Sequence, residues 1–202
     1  KNIRYGTPTM KKLVHEFQLT AAQEAEVQAC AASLGITPTT ARILYARGMD
    51  TREKMHAFLH PGAQHFLSPF LMKGMREAVE LFTQARDEEW RVALFGDYDA
   101  DGIGALAVLS RALREFGIEP YLYVPERSEG YGMSIAALDK IFDEFLPDLI
   151  GTGDCGISNA AEVAYAQEAG AYVIVPDHNE LPETLPDCIT INTKLADDYP
   201  YD

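Results

Sequence analysis

The chain has 202 residues, 47% of them hydrophobic, enough to bury the core of one large domain with or without a small appendage. A formal charge of -14 argues against a general coating of nucleic acid, since phosphate binding draws on Lys and Arg; cations held by clustered carboxylates would still invert the charge locally. No stretch approaches the roughly 18 consecutive apolar residues of a membrane span. Lys1-Asn2-Ile3-Arg4 lacks the apolar core of a secretory signal, and Cys30, Cys155 and Cys188 share no CxxC spacing. A cytoplasmic protein with reduced thiols and no membrane partner is expected.

Residues 1–89 read as a helical N-terminal region. Thr37-Pro38 and Ser68-Pro69 each place a capping residue before a first-turn proline. Asp50 and Glu53 have capping-box spacing ahead of Met55, Phe58 and Leu59, which lie on one apolar face. Arg42 and Arg47 are the cations of this region expected to be exposed.

The character changes at Trp90. Residues 91–95 read as a strand, 103–116 as a helix closed by Gly117, and 120–124 as a second strand. A helix over 134–145, a strand over 148–152, a helix over 159–169 stopped by Gly170, and strands over 171–175 and 188–191 follow. Strands separated by helices of this length imply an α/β domain over 90–202, with a parallel sheet flanked by helices.

Ligands of such sheets bind beyond the carboxyl ends of the strands. Three predicted strands run straight into acidic or imidazole residues: the first into Asp97, Asp99 and Asp101, another into Asp154, and another into Asp177 and His178. Like charges gathered at one rim cost free energy unless a cation or proton intervenes. Oxygen ligands with one imidazole suit Mn²⁺ or Mg²⁺, and such ions can activate water and clamp a phosphoryl group.

Other site types fit less well. Asp97, Asp99, Asp101 and Gly102 match the start of a calcium loop, but its twelfth position, which needs Glu, is Val108. Asp99-Ala100-Asp101-Gly102-Ile103 also looks like the nucleophile loop of haloacid dehalogenase-type phosphatases, whose pattern does not include His178. Neither a dinucleotide fingerprint nor GxxxxGK[ST] occurs, so no nucleotide cofactor is expected.

Five motifs occur in order: Gly96-Asp97-Tyr98-Asp99-Ala100-Asp101-Gly102, Val124-Pro125-Glu126-Arg127 leading to Glu129-Gly130-Tyr131-Gly132, Gly153-Asp154-Cys155-Gly156-Ile157-Ser158, Val175-Pro176-Asp177-His178, and Asn192-Thr193-Lys194 with Tyr199-Pro200. Together they resemble RecJ-type single-strand-specific exonucleases of the DHH phosphoesterase superfamily. Leu34-Gly35-Ile36, Arg42-Ile43-Leu44, Arg47-Gly48, Phe58-Leu59 and Pro69 are similar to the helical lead-in of the same proteins.

The resemblance implies a 5′-to-3′ exonuclease on single-stranded DNA, serving repair and recombination with Mn²⁺ or Mg²⁺, two ions in the complete protein. Asp99, Asp101, Asp154 and His178 would then be metal ligands. Asp97, Asp177 and Asn179 would act in catalysis or support those ligands, and Arg127, Tyr131 and Gly132 would meet the substrate. The family motif Asp-His-His reads Asp177-His178-Asn179 here. An amide can donate a hydrogen bond but cannot carry the charge or exchange the proton of an imidazole, which implies weakened catalysis. RecJ-like proteins also continue into a further metal-ligating aspartate and a DHHA1-type domain, so a truncated form is expected. Two alternatives remain: a DHH phosphodiesterase on oligonucleotides or cyclic dinucleotides, and a catalytically silent DHH binding or scaffold module.

Overall fold

The computed structural model describes residues 18–195; the N-terminal tetrapeptide and the Tyr199-Pro200 motif lie outside the described residues. It divides into two compact units, Lys1–Phe66 and Leu67–Asp202.

The first unit holds three helices, α1 (Ala21–Leu34), α2 (Pro38–Ala46) and α3 (Arg52–Leu59). Each begins at a threonine whose hydroxyl accepts from a first-turn backbone N–H: Thr20, Thr37 and Thr51. Thr37-Pro38 behaves as its sequence predicts. The box expected at Asp50 does not form, because Thr51, one residue later, caps α3, and Asp50 binds the Lys54 ammonium at 2.6 Å. Val27, Ala31, Ala41, Leu44 and Met55 make the core of this unit. Phe58 is 51% exposed, so the inward stripe of α3 is Met55 and Leu59 without it. Arg42 pairs with Glu24 at 2.7 Å, and Arg47 is exposed.

The second unit opens with a short turn at Pro69–Leu71 and helix α4 (Met75–Asp87). Its helix belongs with the sheet, although residues 1–89 read in sequence as one helical region. Ala78 and Ala85 are buried in a cluster with Val92 and Leu94, and such small side chains let a helix lie close to a strand.

The rest alternates strand and helix: β1 (Val92–Gly96), α5 (Ala100–Phe116), β2 (Tyr121–Tyr123), α6 (Ile135–Phe145), β3 (Leu149–Gly153), α7 (Ala160–Glu168), β4 (Tyr172–Pro176) and β5 (Ile189–Ile191). The strands form one parallel sheet in the order β2-β1-β3-β4-β5. The two-residue period of a strand sorts their side chains onto two faces. Ala93, Phe95, Ile150, Val173 and Val175 join residues of α6 and α7 in one core layer. Val92, Leu94, Leu149 and Ile174 join α4 and α5 in the other. Among the described residues, no helix is long and apolar enough to cross a membrane.

This order creates the site. The chain leaves β1 toward β2 and returns to place β3 on the other side of β1, so loops from β1 and β3 diverge at their carboxyl ends and open a crevice there. The register pairs Gly96 with Gly153, which sets Asp97 and Asp154 one step beyond neighbouring strands. Substituting the fully buried Ile150 by alanine is expected to cost about 2–5 kcal/mol, read as a lower urea midpoint; an unchanged midpoint would show that this layer is not close-packed.

Candidate metal centre

After β1 the chain turns sharply into α5, and the aspartate run is folded by that turn. Asp99 is the N-cap of α5, its Oδ1 accepting from the Gly102 N–H at 3.1 Å, and Asp101 lies in the first turn. A Cβ on Gly102 would stand 2.6 to 2.9 Å from the backbone of Asp97, so only glycine lets the helix lean on the end of the strand. Asp97 is left fully buried, with neither carboxylate oxygen meeting a hydrogen-bond partner.

Asp154 follows β3 in a left-handed conformation, φ +62°, uncommon for a residue with a side chain and typical of functional sites. The turn brings its Oδ1 to 2.7 Å from His178 Nε2, which also lies 3.9 Å from Asp101 Oδ2. One ligand atom from each of Asp101, Asp154 and His178 falls within 4.8 Å of the others. The Asp154–His178 approach is close without hydrogen-bond alignment, and Asp154 Oδ1 is buried without a donor. Burial pushes the Asp154 carboxyl above its ordinary value, with the Asp101 charge adding to the effect.

Around this cluster lies a shell of hydrogen bonds. Asp177 Oδ2 accepts from the Ile157 N–H at 3.0 Å, and its Oδ1 accepts from the Asn179 backbone at 3.0 Å and side chain at 2.8 Å. The oxygens of Asp177 are thus engaged in holding two loops. Asn179 Nδ2 also donates to the Tyr131 hydroxyl at 2.8 Å, which donates to the Asp154 carbonyl at 3.1 Å. Burial pushes the Tyr131 phenol up to about 12, so it keeps the proton it donates. Gly132 is buried, at φ +77°, where a Cβ would meet Asn159 Oδ1 at 2.8 Å. Its backbone turns the loop that carries Tyr131. Arg127 is exposed and lies over the ring of Tyr98, 5.1 Å from its centroid.

The rim therefore carries what a hard cation takes: carboxylates at two strand ends, one imidazole, and a buried carboxylate without a partner. The description "DHH family, N-terminal domain" matches residues 91–198. The chain belongs to the DHH family. It is 36% identical over 172 residues, 85% of its length, to the single-stranded-DNA-specific exonuclease RecJ of Bacillus subtilis (strain 168), and spans 22% of that protein. Among solved structures, RecJ of Thermus thermophilus in complex with Mn²⁺ is 30% identical with a TM-score of 0.68, over 91% of this chain and 25% of that one. A structure of exonuclease RecJ bound to manganese is 36% identical with a TM-score of 0.61, over 66% of this chain and 34% of that one. The chain spans about a quarter of the length of the curated relatives it matches, between 22% and 28%.

Within this DHH domain, some residues that shape the site had no role assigned from sequence. Asn192, 2% exposed, donates to the Asn179 carbonyl at 3.0 Å and accepts from the Lys194 N–H at 2.9 Å. Lys194 Nζ reaches the His178 carbonyl at 3.3 Å and Glu180 at 2.6 Å. Asn159 holds both the N–H and the carbonyl of Met133, fixing the loop that carries Tyr131. The Asn192-Thr193-Lys194 run was the available signal for the first two; nothing local marks Asn159.

Gly102→Ala is expected to lower both the melting temperature and Mn²⁺ affinity, since the added methyl must displace Asp97 backbone; equal affinity by calorimetry would refute the close approach as a determinant. Asp154 supplies a pH test. A carboxyl raised by the fold is costly to ionise, so its stability contribution is full below the ordinary value of 3.8 and lost as pH rises through the raised one. Metal-free Asp154→Asn should therefore melt above the parent at neutral pH, with the gap closing on acidification while Mn²⁺ binding is lost throughout. A gap independent of pH would contradict the shift.

Proposed function

We propose that the chain carries the metal-binding part of a phosphodiester-hydrolysing nuclease acting 5′ to 3′ on single-stranded DNA, in repair and recombination, in the cytoplasm. The observation that carries this reading is the fully buried Asp97 carboxylate, both oxygens unpartnered, beside the Asp101, Asp154 and His178 cluster. Leaving such a group uncompensated is costly, and a divalent cation at the rim is the compensation its donor set fits. The RecJ relatives supply the substrate class.

In this reading Asp99, Asp101, Asp154 and His178 hold Mn²⁺ or Mg²⁺, and Asp97 orients a ligand or the attacking water from beneath. The bound ions supply charge neutralisation at the scissile phosphate and a water of lowered pKa. Asp177 fixes the β4 end by accepting from Ile157 and Asn179, and so sets the direction of His178. Arg127, held over Tyr98 at the mouth, receives the phosphate of the incoming strand by charge. Asn179 cannot deliver a proton to the leaving oxygen, so that step falls to water.

A silent binding module is the second reading, favoured by one observation: the two hydrogens of the Asn179 amide are directed to Asp177 and Tyr131. Mn²⁺ calorimetry with turnover of a 5′-phosphorylated single strand and of a dinucleotide separates these readings. The parent is expected to bind Mn²⁺ and cut the long strand slowly, and Asn179→His to raise the rate by about ten-fold or more, toward the usual general-acid contribution. Preference for the dinucleotide would favour an oligonucleotide phosphodiesterase. Mn²⁺ binding with no turnover in either form would favour the silent module, and absence of Mn²⁺ binding would sink the nuclease reading.

A further inference from the structure

The tetrad Asn192, Asn179, Tyr131 and Asp154 joins four segments far apart in sequence: the turn after β5, the loop after β4, the loop before α6 and the turn after β3. Its hydrogen bonds run in one direction. Asn192 donates to the Asn179 carbonyl; Asn179 donates through one amide hydrogen to Asp177 and through the other to Tyr131; Tyr131 donates to the carbonyl of Asp154. Each member uses a donor that the next accepts, and the chain of bonds ends on the one residue of the metal cluster whose backbone sits in the left-handed region.

That last contact has a physical task. A non-glycine residue at φ +62° persists only where its surroundings hold it, and the peptide carbonyl of Asp154 is held by the Tyr131 hydroxyl. Relaxing the turn would swing the carboxylate that now stands 2.7 Å from His178 Nε2. The hydroxyl has one hydrogen to give, and its direction is fixed by the donor on its other side, the Asn179 amide. The side chain at position 179 thus presents two donors, one to Asp177 beside the bond already made by its own backbone N–H and one to Tyr131. An amide has them; a neutral imidazole has one N–H.

We propose that Asn179 and Tyr131 form a latch that positions Asp154 for metal binding, with Asn179 a positioning residue in its own right as well as a departure from Asp-His-His. The proposal rests on the metal reading above. It makes Asn179→His a substitution with two opposed effects: it restores a proton donor and releases Tyr131, so turnover rises while Mn²⁺ affinity falls. Loss of a group that orients a ligand costs metal affinity about 10-fold to 100-fold.

The test uses the chain with Tyr131→Phe, Asn179→Ala, the double variant and Asn179→His, read by Mn²⁺ calorimetry and by amide hydrogen exchange of the 129–133 and 153–156 segments. Both single variants are expected to bind Mn²⁺ about ten-fold more weakly, with faster exchange in both segments. The double variant should be no weaker than the worse single one, because the two side chains are successive links of one path. Tyr131→Phe keeps the ring, and its exchange elsewhere in the sheet should be unchanged, which separates loss of the latch from loss of fold. Parent affinity in either single variant, or additive losses in the double one, would overturn the latch and leave the metal reading standing. A parent that binds no Mn²⁺ would overturn both.

Discussion

The structure turns on a carboxylate that the fold buries and does not satisfy. Asp97 lies beneath the rim with no donor for either oxygen, one step past the end of a central strand. A neutral side chain of similar size would pack there at lower free-energy cost, so the residue has no structural merit of its own. Everything near it is arranged to keep it there: Gly102 lets α5 close over its backbone, and Asp99 caps the same helix. In the proposed reading, a positive charge at this place offsets the cost.

The sheet order explains why the place exists. In a parallel sheet the switch from one winding direction to the other leaves a gap between two strand ends, and here the gap falls between β1 and β3. β1 brings Asp97, Asp99 and Asp101; β3 brings Asp154; β4, the next strand over, brings His178. Among the described residues, the helices that cover both faces supply no member of the candidate cluster beyond Asp101, in the first turn of α5. Their contribution is the two packed layers that make the strand ends rigid, which a metal site needs because its ligands must hold their geometry without the ion.

Outside the ligands, function and stability pull in different directions. Asp154 is raised by burial and by a neighbouring charge, and its backbone is strained. The hydrogen bonds through Tyr131, Asn179 and Asn192 are the counterweight, since they fix the loops that would otherwise relax. Cys155 and Cys188 lie in the packing, where burial pushes their thiols up to about 12 and about 11.

Local sequence determined a good deal. Short apolar runs and helical periods marked the strands and helices from residue 91 onward to within a few residues, because burial is a local pattern of side chains. Thr37-Pro38 marked the start of α2 for the same reason: a cap acts within one turn. Asp101, Asp154 and His178 were legible as candidates for one cluster because strand ends point to one rim whatever the strand order. Tertiary structure decided what depends on contact at a distance. The side of β1 taken by β3, the attachment of α4 to the sheet through Ala78 and Ala85, and the exposure of Phe58 follow from which surfaces meet. The choice of Thr51 over Asp50 as cap was a contest between two adequate residues, settled by where α3 begins. Asn179 is the sharpest case: in sequence it was the absence of a histidine, and in the fold it is a donor to Tyr131, 48 positions away.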